Sequence, residues 1–198
     1  MAKGLYDKIV EAVGDRKWAF LNIDYTVDFV DAQGALTCGE PGIALHDAMA
    51  EVTEKTIENG VFTVFGIDLH LKDDQYHPET KLFPPHNIKG TSGRDLYGKL
   101  EAIYQENRDK ENVYYMDKTR YSAFAGTDLE LKLRERGIDT VLIAGVCTNI
   151  CVLHTAIDAY NRGINIVIAE DLVASFNPQG HDYALTHLKN TLNATIVK

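Results

Sequence analysis

The run TVLIAGVCTNICVLHTAIDA, Thr140 to Ala159, decides the fold. Its first seven residues, Thr140 to Val146, form a continuous apolar stretch, which predicts a strand buried on both faces of a parallel sheet. After a short polar loop, Ile150, Leu153, Ala156, Ile157 and Tyr160 recur at the spacing that covers one face of a helix. A strand that turns directly into a helix is half of a β-α-β unit. Cys151 then stands where the helix begins, in the crevice at the strand's carboxyl end, the place where open parallel sheets bind ligands. A helix N-terminus carries about half a positive charge, so the position is expected to favour ionised sulfur.

The same alternation extends along the chain. Strands are predicted near Trp18 to Ile23, Val61 to Ile67, Val113 to Met116, Thr140 to Ala144, Asn165 to Ala169 and Thr195 to Val197. Helices are predicted near Leu5 to Val13, Gly42 to Asn59, Arg94 to Asn107, Asp128 to Arg136, Ile150 to Arg162 and His181 to Leu192, with Gly60, Gly137 and Gly163 placed as C-caps. This is the signature of a three-layer α/β fold, a parallel sheet with helices on both faces, expected to form one domain over residues 1–198.

A chain of 198 residues with 45% hydrophobic content can fill a sizeable core. Its formal net charge of −9 argues against nucleic acid or an anionic membrane as partner. No apolar run approaches the ~20 residues needed to span a bilayer. MAKGLYDKIVEAVGDRK mixes charges through an amphipathic pattern and lacks a continuous apolar core, so it reads as a folded helix rather than a secretion signal, and the expected location is cytoplasmic. Three cysteines without CxxC spacing, Cys38, Cys147 and Cys151, give neither a disulfide framework nor a zinc ribbon.

Two further residues accompany Cys151. Asp24 ends the apolar run WAFLNID and Lys118 follows VYYM, so both lie just past carboxyl ends of predicted strands. Together the three offer a nucleophile, a base and a cation on one rim of one sheet. Leu69 to Gly93 exceeds ordinary loop length, as functional loops do. Asp68 and His70 lead into it, and His77, Glu79 and His86 follow, a set of oxygen and imidazole donors suited to zinc, manganese or iron(II) rather than calcium. His46, His154, His181 and His187 read as structural or solvated. An aspartate and a lysine at strand ends also occur in phosphoacceptor receiver domains. Those are smaller, and that reading leaves Cys151 and the donor cluster without a task.

The segments IDYTVDF (Ile23 to Phe29), IDLHLKDDQYHPETKLFPPHNIKGTSGRDL (Ile67 to Leu96), MDKTRYSAF (Met116 to Phe124) and GVCTNICVLHTAIDA (Gly145 to Ala159) resemble the nicotinamidase branch of the isochorismatase-like cysteine hydrolases. The resemblance runs from about Trp18 onward, with the motifs in family order. It implies a six-stranded parallel sheet in the order 3-2-1-4-5-6, so that Asp24 and Cys151 face one crevice at the switch point. It also implies a catalytic triad of Asp24, Lys118 and Cys151, and an oxyanion hole from the backbone N–H groups of Cys147 and Cys151 beside a cis peptide at Val146–Cys147. Asp68, His70 and His86 become ligands of one divalent metal, zinc before manganese or iron, with the fourth ligand either Glu79 or His77; register with KLFPPH favours Glu79. Phe29, Phe83 and Tyr121 would surround a flat heteroaromatic ring. The implied activity is hydrolysis of nicotinamide to nicotinate and ammonia through a cysteine thioester, in NAD salvage, with another small-amide, N-carbamoyl or ureido hydrolysis as the alternative. The expected partner is a small-molecule amide, and a homo-oligomer is compatible with this reading. Thr26, where many members have glutamine, Cys147, where a small residue is common, and Ile150, where some relatives have a polar one, are departures that bear on substrate preference.

Overall fold

Every residue of Phe62–Asp68 and of Thr140–Val146 is buried, which marks both segments as central strands covered on two faces. The computed structural model describes residues 3–198. In chain order the elements are α1 (Leu5–Val13), β1 (Trp18–Ile23), the single turns α2 (Val27–Val30) and α3 (Glu40–Ile43), α4 (His46–Glu58), β2 (Phe62–Asp68), α5 (Lys99–Asn107), β3 (Val113–Lys118), α6 (Leu129–Glu135), β4 (Thr140–Val146), α7 (Leu153–Asn161), β5 (Asn165–Ala169), β6 (Val173–Ala174), α8 (Pro178–Asn190) and β7 (Thr195–Val197).

The sheet order is β3-β2-β1-β4-β5-β7 and all pairings are parallel. The six strands expected from sequence are present in the expected order, the last of them being β7. An added two-residue strand, β6, pairs with the end of β4 through Gly145↔Val173 and Val146↔Ala174. It is too short to leave a hydrophobic period in the sequence.

Alternation along β1 sends Ala19, Leu21 and Ile23 into one core and Phe20 into the other. The first core is closed by Leu129 and Leu133 of α6, Leu153 and Ala156 of α7, and Ala184 and Leu188 of α8. The second is closed by Ile9 and Val13 of α1, Met49 and Val52 of α4, and Leu100 and Ile103 of α5. Each fully buried Leu or Ile here contributes roughly 1.5–3 kcal/mol. Two packed cores therefore hold the strand ends rigidly. Among the described residues no helix is long and apolar enough to cross a membrane.

The helix predicted from Gly42 is divided, α3 ending at Ile43 and α4 starting only at His46, and two further helices begin later than the sequence predicts. Leu96 is drawn into an antiparallel bridge with Thr26, and Gly98 has φ 59° with its Cα against the His46 ring, so α5 starts only at Lys99, whose N–H donates to His46 Nε2 at 3.0 Å. A Cβ at Gly98 would collide with that ring. Cys151 does not open α7 either. It lies in a π-helical turn, Thr148–Val152, in which the Val152 N–H reaches back to the Cys147 carbonyl at 3.3 Å.

Candidate active site and metal-binding cluster

Strand register brings the chemistry together. Ile23 pairs with both Gly66 and Gly145, and Asp68 pairs with Lys118, so Asp24, Asp68, Lys118 and the turn after β4 emerge side by side. Gly145 has φ 113°, and a Cβ there would strike the Ile23 carbonyl. Only glycine lets β4 approach β1 closely enough at this level. The peptide Val146–Cys147 that follows is cis.

Asp24, with φ 57°, is wholly buried and fixed at both carboxylate oxygens. Oδ1 accepts the Asp68 N–H at 2.8 Å, and Oδ2 lies 2.7 Å from Lys118 Nζ. The same ammonium donates to the Arg120 carbonyl at 3.1 Å and stands 3.7 Å from Cys151 Sγ. Burial pushes the Asp24 carboxyl up to about 6, restrained by Lys118 and reinforced by Asp68. Burial works against the Lys118 charge, but Asp24, Cys151 and Asp68 overrule it and hold the ammonium well above its usual range. For Cys151 burial dominates. It raises the thiol well above its ordinary value, Lys118 pulling it down and Asp24 pushing it up. Burial and the Asp24 charge thus act against the ionised sulfur that a helix terminus favours, and Lys118 acts for it.

Asp68, His70, Glu79 and His86 are buried and present ligand atoms that all lie within 4.8 Å of one another. His70 Nε2 is 2.7 Å from Asp68 Oδ2. His86 Nδ1 is committed to the Pro84 carbonyl at 2.7 Å, which turns Nε2 inward, 3.5 Å from Asp68 Oδ2 and 3.6 Å from Glu79 Oε2. That Nε2 and Asp68 Oδ1 are buried without hydrogen-bond partners, and two carboxylates face two imidazoles in one pocket. Burial opposes a charge on His86, yet the two carboxylates lift it to about 10, so the cluster attracts positive charge. Such a donor set fits a divalent transition-metal ion. His77 points elsewhere. Its Nδ1 accepts the Glu79 N–H at 3.2 Å and its Nε2 donates to the Thr119 carbonyl at 2.7 Å, so both ring nitrogens are spent.

The donor loop is tied to the base-bearing segment. Asp28 Oδ2 accepts the Asn87 N–H at 2.7 Å, and Gly93 lies so close to that carboxylate that a Cβ would overlap it. His70 N–H donates to the Asn87 carbonyl and Lys89 N–H to the His70 carbonyl, at 3.1 and 2.9 Å. Arg94 locks the strand ends, donating to the Asp68 carbonyl at 2.8 Å and pairing with Asp117 at 2.6 Å. None of these supports was singled out from sequence.

One cleft joins the two clusters. Cys151, Cys147, Asp68 and Glu79 line it together with Phe29, Phe83 and Tyr121. Phe29 and Phe83 also approach the His86 ring, with centroids at 5.2 and 6.3 Å. Leu36, Val146, Ile150 and Phe176 complete the wall; Leu36 and Phe176 sit in segments with no periodic signal and were missed. His46 caps α5, and His181 Nδ1 pairs with Thr148 Oγ1 at 2.8 Å beneath the nucleophile turn, both outside the cleft lining.

A family model described as the isochorismatase domain matches residues 18–197. The isochorismatase family protein PncA of Bacillus subtilis (strain 168) is 59% identical over 182 residues, covering 92% of this chain and all of that one. The crystal structure of a nicotinamidase/pyrazinamidase PncA from Bacillus subtilis superposes with a TM-score of 0.91 at 57% identity, over 92% of this chain and 100% of that chain. A pyrazinamidase of Pyrococcus horikoshii in complex with zinc gives 0.79 at 28% identity, over 92% and 99% of the two chains. On the match of nearly its whole length, this chain belongs to the isochorismatase family.

Proposed function

We propose that this protein hydrolyses nicotinamide to nicotinate and ammonia, as a cytoplasmic step of NAD salvage. The observation that carries the reading is the junction of a buried Asp24–Lys118–Cys151 constellation with a carboxylate–imidazole cluster in one aromatic-walled cleft. Phe29, Phe83 and Tyr121 hold the pyridine ring, and the carboxamide lies against Cys151. Asp68, His70, Glu79 and His86 hold one divalent ion, zinc being the best fit to this donor set. When bound, that ion supplies a Lewis-acidic anchor for the ring nitrogen.

Asp24 accepts the Cys151 proton as Sγ attacks the amide carbonyl, and Lys118 balances the charge that the proton leaves behind on sulfur. The backbone N–H groups of Cys147 and Cys151 receive the developing oxyanion. As the C–N bond breaks, Asp24 returns the proton to the departing ammonia. Asp24 then takes a proton from water, whose oxygen attacks the thioester, and Sγ leaves as nicotinate forms and is reprotonated. One carboxyl, its affinity for protons raised toward neutrality by burial, serves both half-reactions.

Ammonia release from nicotinamide by metal-loaded protein, beside N-carbamoyl and ureido substrates, tests the proposal. Faster turnover of a carbamoyl or ureido substrate would move the assignment within the family, and no turnover of any would make the chain a binding homologue. The ligand assignment has its own test. Glu79→Ala removes a charge and a donor atom, and the protein is expected to lose its metal on dialysis. His77→Ala removes the bonds to Thr119 and Glu79 and a ring contact with His70 but no proposed ligand atom, and should retain it. Elemental analysis of the two purified variants decides, and the reverse ranking would transfer the ligand role to His77.

A further inference from the structure

The turn that carries the nucleophile is held from outside as well as by its own backbone. Thr148–Val152 is a single π-helical turn, in which the ordinary i to i−4 ladder is interrupted. Its outer side is tied to the segment before α8 and to the first turn of that helix. Thr148 is wholly buried, and its hydroxyl pairs with His181 Nδ1 at 2.8 Å, the one hydrogen bond that side chain makes among the described residues. Asn149 Oδ1 accepts the Ser175 hydroxyl at 2.7 Å, and Ser175 Oγ in turn accepts the Asn177 N–H at 3.1 Å. Asn177 caps α8 by accepting the Gly180 N–H at 3.0 Å, and Gly180 lies so close to Asn149 that a Cβ would strike its side-chain amide. We propose that His181 is a positioning residue for the acyl transfer: through Thr148 it fixes the turn that carries the Cys147 N–H and the Cys151 thiol.

Position in the chain is what gives one hydrogen bond this reach. Thr148 directly follows Cys147 and stands three residues before Cys151, so a shift of its side chain moves the assigned oxyanion donor and the nucleophile together. Asp24 and Lys118 would not follow, because they stand at the ends of β1 and β3 and are paired with each other at 2.7 Å. Losing the His181 ring leaves the Thr148 hydroxyl buried without a partner, a cost that the turn relieves by moving. A displacement of about 1 Å can cost on the order of 10² in rate even when its origin lies away from the chemistry. His181 is no part of the cleft lining or of the carboxylate–imidazole cluster, so binding of the ring should be spared. The effect on turnover rests on the amidase reading; the effect on the thiol does not.

His181→Ala is expected to lower kcat for nicotinamide about 10- to 10²-fold with KM unchanged. His181→Asn offers an amide near the place of Nδ1 and should restore most of the rate. Thr148→Val removes the other end of the same bond, so its loss should match that of His181→Ala, and the double variant should be no slower than either. The same variants are alkylated with iodoacetamide in a Cys38→Ser, Cys147→Ser background, where Cys151 is the only thiol. Moving the sulfur away from Lys118 should slow alkylation in His181→Ala and Thr148→Val, and His181→Asn should recover the parental rate. Parental kcat in His181→Ala, a loss that His181→Asn does not restore, or a loss carried in KM would overturn the proposal. If the parent itself releases no ammonia, the amidase reading fails, and alkylation alone then decides the positioning role: equal rates in the parent, alanine and asparagine proteins would overturn it.

Discussion

Replacing Cys151 with alanine is expected to lower ammonia release from nicotinamide on the order of 10⁴-fold or more, while calorimetry still detects nicotinamide binding. Two separate sets of atoms are responsible for the two observables. In the proposed mechanism the bond-making atom is Sγ, held 3.7 Å from Lys118 Nζ, which is itself paired with Asp24. In the same proposal ring positioning falls to Phe29, Phe83, Tyr121 and the cluster around Asp68 and Glu79, which the substitution leaves unchanged. Truncating a buried cysteine leaves a small void whose cost should not unfold two intact cores. An alanine variant that retained turnover would end the thioester mechanism. One that lost binding along with turnover would show that Cys151 holds the substrate as well as attacking it.

How much of this site the sequence discloses depends on how local each cause is. The strands were legible because runs such as Thr140 to Val146 are apolar throughout, and the residues that end them, Asp24, Asp68 and Lys118, share one rim once the strands are parallel and in register. The strand order needed the family resemblance, since periodicity says nothing about which strands are neighbours. The choice between His77 and Glu79 turns on the Thr119 carbonyl, 42 residues from His77, and no spacing within the loop contains that fact. Phe176 reaches the cleft because the two-residue β6 pairs with β4 just before it, a tertiary placement with no local pattern. The forces on the Cys151 proton are hidden from the sequence for a similar reason. A dipole argument sees only the adjacent helix, whereas the folded protein buries the sulfur and sets the Asp24 carboxylate, from the far side of the sheet's switch point, against its charge.

The buried carboxylate also gives the opposing pair its sharpest test. Asp24→Asn preserves shape but accepts no proton, and kcat is expected to fall by about 10² to 10⁴, the usual worth of a positioned base. Lys118→Met should also slow turnover, so rate alone does not divide their roles. Thiol reactivity does. In the wild-type protein Lys118 lowers the Cys151 thiol and Asp24 raises it, with burial above both. Removing the negative charge in Asp24→Asn should bring the thiol pKa down and quicken alkylation by iodoacetamide at neutral pH; removing the cation in Lys118→Met should raise it and slow alkylation. The measurement is made in a Cys38→Ser, Cys147→Ser background, so that Cys151 is the sole thiol and the Cys147 backbone donor remains in place. If both variants were alkylated more slowly than the parent, the aspartate would be acting as structural support for the lysine rather than as the opposing base. If both were faster, burial rather than charge would be governing the sulfur, and opening of the cleft in either variant would account for the lost turnover.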